Sequence, residues 1–383
     1  MKLYKLLLTI LLPLFLSFPS LQAQISFRVM WYNVENLFDT EDDPKTDDNE
    51  FLPSGERHWT GKRYRHKLQQ LSKVITAAGE WQTPALVGLC EVENDTVLTH
   101  LLTRTPLREQ HYRYCITSGS DTRGIQVALL YQRDKFAYIS HASCPVRSAV
   151  RRERLTRDIL HVCGKLISGD TLDVFLCHFP SRSGGEQETK GYRADAARTL
   201  RTLCDSIHNE RQTPLLLLMG DFNDTPADKN LRDVLGAQPF HKGIQPADGK
   251  ASALSLYNLF ADASLFPYPG SHKYQGEWHQ LDQIIVSGSL LGTPHRPVRL
   301  LPESIRLFAP PFLFAKDKTQ RGLRPKRTFY GFRYERGFSD HLPLLIDLEC
   351  TVILPPPTGQ PLYLAAIPQW QGQSRRQVPV PVR

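Results

Sequence analysis

The stretch Leu215–Asp224, read as Leu-Leu-Leu-Leu-Met-Gly-Asp-Phe-Asn-Asp, constrains the fold of this chain more than any other. Five consecutive apolar residues, stopped by Gly220 and a polar run, describe a strand buried on both faces. Such a strand delivers Asp221 and Asn223 to the rim of a sheet, where ligands of α/β proteins gather. Taken alone, the same residues also fit a core strand that ends in an Asx turn. Companions elsewhere in the chain have to decide.

The same arrangement recurs. Ser26–Tyr32 reads as a strand that stops at Asn33 and Glu35, and Ala85–Cys90 as one that stops at Glu91 and Glu93. Ile159–Ile167 and Thr171–Cys177 pair as a hairpin around Ser168-Gly169-Asp170, and the second strand ends at His178, ahead of a Gly-rich loop that carries Arg182. Asp282 stands just before the apolar run Ile284-Ile285-Val286, and Asp340-His341 just before the final strand. Between these lie helical patterns over Arg63–Ala78, where Leu68, Leu71, Val74 and Ile75 make one apolar face, and over Tyr192–His208. Asp121-Thr122-Arg123-Gly124 forms a turn before the strand Gln126–Tyr131, and Pro44, Pro53 and Gly55 forbid regular structure in Asp39–Gly61.

Each polar group has a bland reading by itself, as a cap or a hydrogen-bonded surface residue. No single structural role asks for Asn33, Glu35, Glu91, His178, Asp221, Asn223, Asp282, Asp340 and His341 all beside strand ends. Carboxylates and amide oxygens are the hard ligands that Mg2+ or Mn2+ prefers, and Ca2+ takes the same oxygens. Two histidines with acidic neighbours supply proton transfer or charge neutralisation. The chemistry these residues assemble is metal-assisted hydrolysis of a phosphate ester.

The ordered set Tyr32-Asn33-Val34-Glu35-Asn36, Cys90-Glu91-Val92-Glu93-Asn94, Gly220-Asp221-Phe222-Asn223, Leu281-Asp282 and Ser339-Asp340-His341 resembles the endonuclease/exonuclease/phosphatase superfamily over about Phe27–Leu348. The resemblance implies a DNase I-like fold, a four-layer α/β sandwich of two mixed β-sheets flanked by helices, with the site at one edge between the sheets. It implies that Asn33 and Glu91 hold a divalent ion, that Asp340 completes or supports that site, and that Glu35 is an acidic neighbour. Asp221 would position or deprotonate the attacking water, and Asn223 would orient the substrate or a second ion. His341 would neutralise the scissile phosphate, with Asp282 holding its ring, and His178 matches the second histidine of the secreted-nuclease and phosphatase branches. Arg123, Arg157 and Arg182 are phosphate contacts in this reading. The insertion Leu307–Arg336 and the loop Asp39–Gly61 are placed to set substrate choice.

The implied enzyme is a Mg2+-dependent phosphoesterase that acts most simply on nucleic acid as a monomer. A phosphomonoesterase, a sphingomyelinase- or inositol-phosphate-phosphatase-like hydrolase, and an inactive binding protein of the same fold are the alternatives. Lys2 and Lys5 before the apolar run Leu6–Phe18, followed by Ala23-Gln24, have the order of a secretory signal, so residues 1–23 are expected to be removed and the protein exported to the periplasm or the medium. The run is too short for a comfortable membrane anchor, and no stable membrane insertion is expected. Residues 24–350 form the catalytic domain, and 351–383 a Pro/Gln/Arg-rich tail. The chain carries a formal +8 and stays basic after loss of the two lysines, which suits a phosphate-bearing partner. The densest basic run is Arg147, Arg151, Arg152, Arg154 and Arg157. Seven cysteines, an odd number, lead us to expect at most one or two disulfides.

Overall fold

The computed structural model describes residues 22–353 apart from 120, 148–155, 212, 242–254 and 293–295. Arg151, Arg152 and Arg154 of the basic run, residues 1–21 of the expected secretory signal and the residues beyond 353 lie outside the described residues. The compact body is Gln24–Val352.

Two sheets carry the body. The first holds β1 (Gln22–Leu37), β2 (Leu86–Val92), β3 (Arg113–Ile116), β4 (Gln126–Tyr131), β14 (Val298–Leu307) and β19 (Leu344–Ile353), in the order β14-β19-β1-β2-β4-β3. The second runs β5-β6-β7-β8-β13-β10-β9, from β5 (Phe136–Cys144), β6 (Ile159–Leu166), β7 (Thr171–His178) and β8 (Leu215–Asp221) to β13 (Asp282–Ser287), β10 (Leu256–Asn258) and β9 (Ala237–Pro239). Both are mixed: β1 and β2 pair parallel, as do β7 and β8, while β2 with β4 and β8 with β13 pair antiparallel.

The five-residue apolar run of β8 is explained by its two covers. Leu217 and Met219 join the core between the sheets, whereas Leu216 and Leu218 pack under helix α3 (Glu186–Glu210), against Ala196, Ala197, Leu200 and Cys204. Helix α1 (Gly61–Gly79) and helix α2 (Asp95–Thr103) cover the other sheet with Leu68, Leu71, Val74 and Val97. The result is helix, sheet, sheet, helix. Asn94 caps α2, its side chain accepting from Val97 N at 3.0 Å. Gly88 on β2 sets how near the sheets come: a Cβ there would lie 2.8 Å from Leu176 of β7 and from Trp31, closer than real Cβ contacts allow.

Several expectations need correction. β1 runs on past Tyr32 to Leu37, because an irregularity between Asn33 and Leu37 lets Glu35 and Asn36 adopt φ of 52° and 54° while pairing with β2 resumes at Leu37. α3 begins at Glu186, ahead of Tyr192, and β19 reaches Ile353, so Thr351–Ile353 belong to the last strand. The insertion Leu307–Arg336 forms two small ribbons, β15 (Phe314–Lys316) with β16 (Leu323–Pro325) and β17 (Phe329–Tyr330) with β18 (Arg333–Tyr334). A third ribbon pairs β11 (His272–Tyr274) with β12 (Glu277–His279). All seven cysteines are free, within the expected limit of one or two disulfides, and five of them are buried. Among the described residues no helix is long and apolar enough to cross a membrane.

Candidate active site

Strand register assembles the site. Asp221 ends β8 opposite His178 of β7 on one side and Asp282 of β13 on the other, so three strands place three polar groups in one row. Side-chain alternation that turns Leu176, Met219 and Ile284 toward the facing sheet turns these three the same way. From the first sheet, Asn33 of β1 and Glu91 of β2 meet them across the seam. Asn33 Nδ2 donates to Glu91 Oε1 at 3.2 Å and to Asp221 Oδ2 at 3.1 Å, joining the two sheets through one amide. Glu91 sits at φ 62° and its Oε2 accepts from Asn36 N at 2.9 Å.

A buried histidine pair forms the centre. His341 Nδ1 donates to Asp282 Oδ2 at 2.5 Å, and the same carboxylate accepts from Trp31 Nε1 at 2.8 Å and Ser271 Oγ at 2.5 Å. His341 Nε2 is then left facing Asp221 Oδ2 at 3.8 Å. Burial opposes charge on this ring, but Asp282, aided by Asp221 and Asp340, holds His341 well above the ordinary histidine range. Burial and the charge of Asp282 push Asp221 up to about 7, against the pull of His341, Asn223 N and Asn33. Asn223 also donates from Nδ2 to Phe179 O at 3.0 Å, which fixes the turn after β8.

His178 behaves differently. Its Nε2 lies 3.8 Å from both Glu91 Oε1 and Asp221 Oδ2, yet burial and the charges of Arg157 and Arg123 drive its pKa well below 6.5. We therefore read these approaches as a neutral ring beside two carboxylates and not as ion pairs.

Residues 28–350 match the Endonuclease/Exonuclease/phosphatase family. The chain belongs to that family. It is accordingly a metal-dependent phosphoric ester hydrolase. No curated protein sequence matches it. Among solved structures, truncated TDP2 from Caenorhabditis elegans superposes with a TM-score of 0.51 at 12% identity, covering 85% of this chain and 98% of that one. The endonuclease/exonuclease/phosphatase family protein from Bacteroides thetaiotaomicron gives a TM-score of 0.49 at 14% identity, over 86% of this chain and 97% of that one. The human Nocturnin catalytic domain, solved with a bound sulfate anion, gives 0.49 at 15% over 85% and 97%. The TDP2 likeness is one of fold, and it agrees with the four layers of this chain.

A divalent ion, which the family requires, fits the donors present. Glu35, Glu91, Asp221, Asp282 and Asp340 crowd one region, and burial together with Asp340 raises the Glu35 pKa against the pull of Lys67 and Arg327. Asp340 is itself held well below the ordinary carboxylate range: burial opposes this, but Arg327 and His341 prevail. Arg327 Nη2 donates to Asp340 at 2.6 Å and its Nε to Glu35 Oε1 at 3.4 Å, while Thr328 N donates to Glu35 Oε2 at 2.6 Å. Glu35 is thus a tightly held neighbour. Glu91, with 16% of its side chain exposed, is the more open carboxylate. Ligand atoms of His272, Asp340 and His341, and of Asp221, Asp282 and His341, also converge within 4.8 Å. Both groupings need His341 as a ligand, and a ring kept protonated donates instead.

The three arginines separate. Arg157 is largely buried with its Nε unpartnered, 3.8 Å from Asp121, and its charge reaches His178. Arg123 is exposed and donates to Asn36 Oδ1. Arg182 is occupied elsewhere: it donates to Asn223 O at 2.7 Å and Asp228 at 2.9 Å and lies near Glu186 and Asp224, so it braces the loop after β8. Other residues that build the site carry no motif. His272 packs at a tilt against His341 with ring centroids 4.6 Å apart, and Lys67 donates to Thr328 Oγ1 and Phe338 O, both at 2.6 Å. The one sign of Lys67 in the sequence is its place on the apolar stripe of α1 that Leu68, Leu71 and Val74 define.

Proposed function

We propose that this protein is an exported, Mg2+-dependent phosphodiesterase that cleaves nucleic acid. The observation that carries the reading is the row of Asp282, His341 and Asp221, in which an imidazolium and a carboxylate of near-neutral pKa face each other at 3.8 Å beside Glu91. A base with a pKa near the working pH is the efficient one. Water attacks phosphorus as its proton passes to Asp221, the P–O ester bond breaks, and the leaving oxygen is protonated from solvent. His341 Nε2–H meets the charge that develops on the phosphoryl oxygens, and Asp282 keeps the ring oriented and charged. Neutral His178 donates a further hydrogen bond from the other side, and Arg157 adds positive charge.

Glu91 and Asp340, with Glu35 and Asn33 behind them, would hold the ion. When bound, it supplies Lewis-acid polarisation of a phosphoryl oxygen. All of these donors offer hard oxygen, which favours Mg2+ over softer metals. The basic chain, with +8 formal charge, supports a polyanionic substrate. Turnover of DNA, RNA, sphingomyelin and phosphoinositides with Mg2+, Mn2+, Ca2+ and EDTA tests this. We expect the nucleic acids to be cleaved with Mg2+, and hydrolysis confined to a lipid would replace the reading. An N-terminus near Gln24 in the native protein supports export, and an intact Met1 refutes it.

A further inference from the structure

The ribbons of the insertion border a solvent-open cavity of about 520 Å³. Small-ligand sites span about 300–1,000 Å³. Lys316, Lys318 and Lys326 line it with no ion-pair partner among the described residues, whereas Arg324 and Arg333 share the carboxylate of Glu335. The lining therefore keeps a clear excess of positive charge. It also holds Tyr330, whose ring lies 4.6 Å from the Arg324 guanidinium. Tyr330 and Phe332, 38% and 63% exposed, flank Gly331, whose φ of 60° makes the turn between β17 and β18. Unpaired lysines beside solvent-facing aromatic rings are what a single nucleic-acid strand needs, since phosphates take the cations and bases stack on the rings.

The cavity is joined to the catalytic seam. Lys326 lines it, the next residue, Arg327, binds Asp340 and Glu35, and Thr328 N binds Glu35. With consecutive Cα atoms about 3.8 Å apart, cavity and site share one wall.

We propose that this cavity is a second phosphate subsite, which holds a non-scissile phosphate of a single-stranded nucleic acid while Tyr330 and Phe332 carry its bases. The proposal rests on reading the seam as a phosphodiesterase site. Binding of a fluorescein-labelled single-stranded oligonucleotide, followed by anisotropy in EDTA so that no turnover occurs, tests it without catalysis. The double variant Lys316→Ala/Lys318→Ala truncates two exposed side chains. It should bind about 10-fold more weakly, and the slope of log affinity against log salt should fall by about one for each phosphate that is no longer neutralised. Lys316→Arg/Lys318→Arg should restore both. Equal affinity and equal slope for wild type and the alanine variant would overturn the subsite. A variant that loses affinity for inorganic pyrophosphate but not for the oligonucleotide would assign the cavity to a free phosphorylated small molecule and overturn the strand reading. Separately, wild-type turnover of bis(p-nitrophenyl) phosphate, which has one phosphorus, tests the seam. Failure there with intact salt-linked binding removes the function and leaves the subsite.

Discussion

Strand β7 carries an acid or a histidine at each end, and the two ends do different work. Toward its start, Asp173 accepts from His161 Nε2 at 2.9 Å and pairs with Arg211 at 2.6 Å on the helix-covered face. Burial would raise the Asp173 carboxyl, but the His161 and Arg211 bonds hold it below its ordinary value. At its far end, His178 turns toward the seam, where the carboxylates of Glu91 and Asp221 lie close with only an amide between them. A buried histidine and carboxylate in contact are therefore no mark of catalysis. What separates the ends is charge: Asp173 has its cation, whereas the seam gathers more carboxylates than cations and keeps a polar edge open.

The largest effects should fall at the seam. His341→Ala should lower turnover by on the order of 10³-fold, far beyond the loss of stability that follows from leaving buried Asp282 without its cation. Asp282→Asn should act through the same ring, so the double variant should be scarcely worse than His341→Ala, and rates that multiply independently would break the pair. Next, Glu91→Gln should raise the metal concentration for half-maximal activity by about 10-fold or more, since it removes one charge from the ion's surroundings; a metal titration of initial rates reads this directly. At the other end of β7, Asp173→Asn should leave kcat within a factor of about two and cost roughly 2 kcal/mol of stability in a thermal melt, from a broken buried ion pair. A variant that loses activity without losing stability would erase the distinction between the ends.

The smallest effect concerns Asp221 in EDTA. Its folded pKa, about 7, stands above the ordinary aspartate value of 3.8, so the folded protein binds a proton that the unfolded chain has released. The resulting stability is complete below the unfolded value and is lost as pH rises through about 7. Asp221→Asn mimics the protonated state, so its melting temperature should overtake that of wild type between about pH 4 and about pH 8 by a few degrees. A constant difference across that range would show that Asp221 titrates normally.

Much of this is legible in the chain because strand ends are legible. An apolar run bounded by a polar group fixes where that group goes, and this locates Asn33, Glu91, His178 and Asp221 at strand ends, Asp282 at the start of β13 and His341 before β19. Groups that reach the site from loops and short ribbons leave no such trace: Arg327 sits among other basic residues of the insertion, and Ser271 and His272 have no periodicity to mark them. Arg182 departs from its expected role for a related reason. A Gly-rich loop with an arginine suits an anion, but Asp224 and Asp228, which occupy it, come from the loop after β8, so their proximity depends on the fold, while Glu186 lies only four residues further along the chain. An odd count of cysteines says nothing of distance, and all seven are free, even Cys177, Cys204 and Cys144, which share the core beneath α3.

Gly88 has a consequence for chemistry that it never touches. Glu91 stands three residues along the same strand, and its counterpart Asp221 belongs to the opposite sheet, so the gap between the two carboxylates is the gap between the sheets. A methyl group at 88 would act as a shim, wedging the layers apart against Leu176 and Trp31. Hydrostatic pressure, which closes such gaps, should then speed or slow the wild type and a Gly88→Ala enzyme by different factors, making activation volume a ruler for the seam.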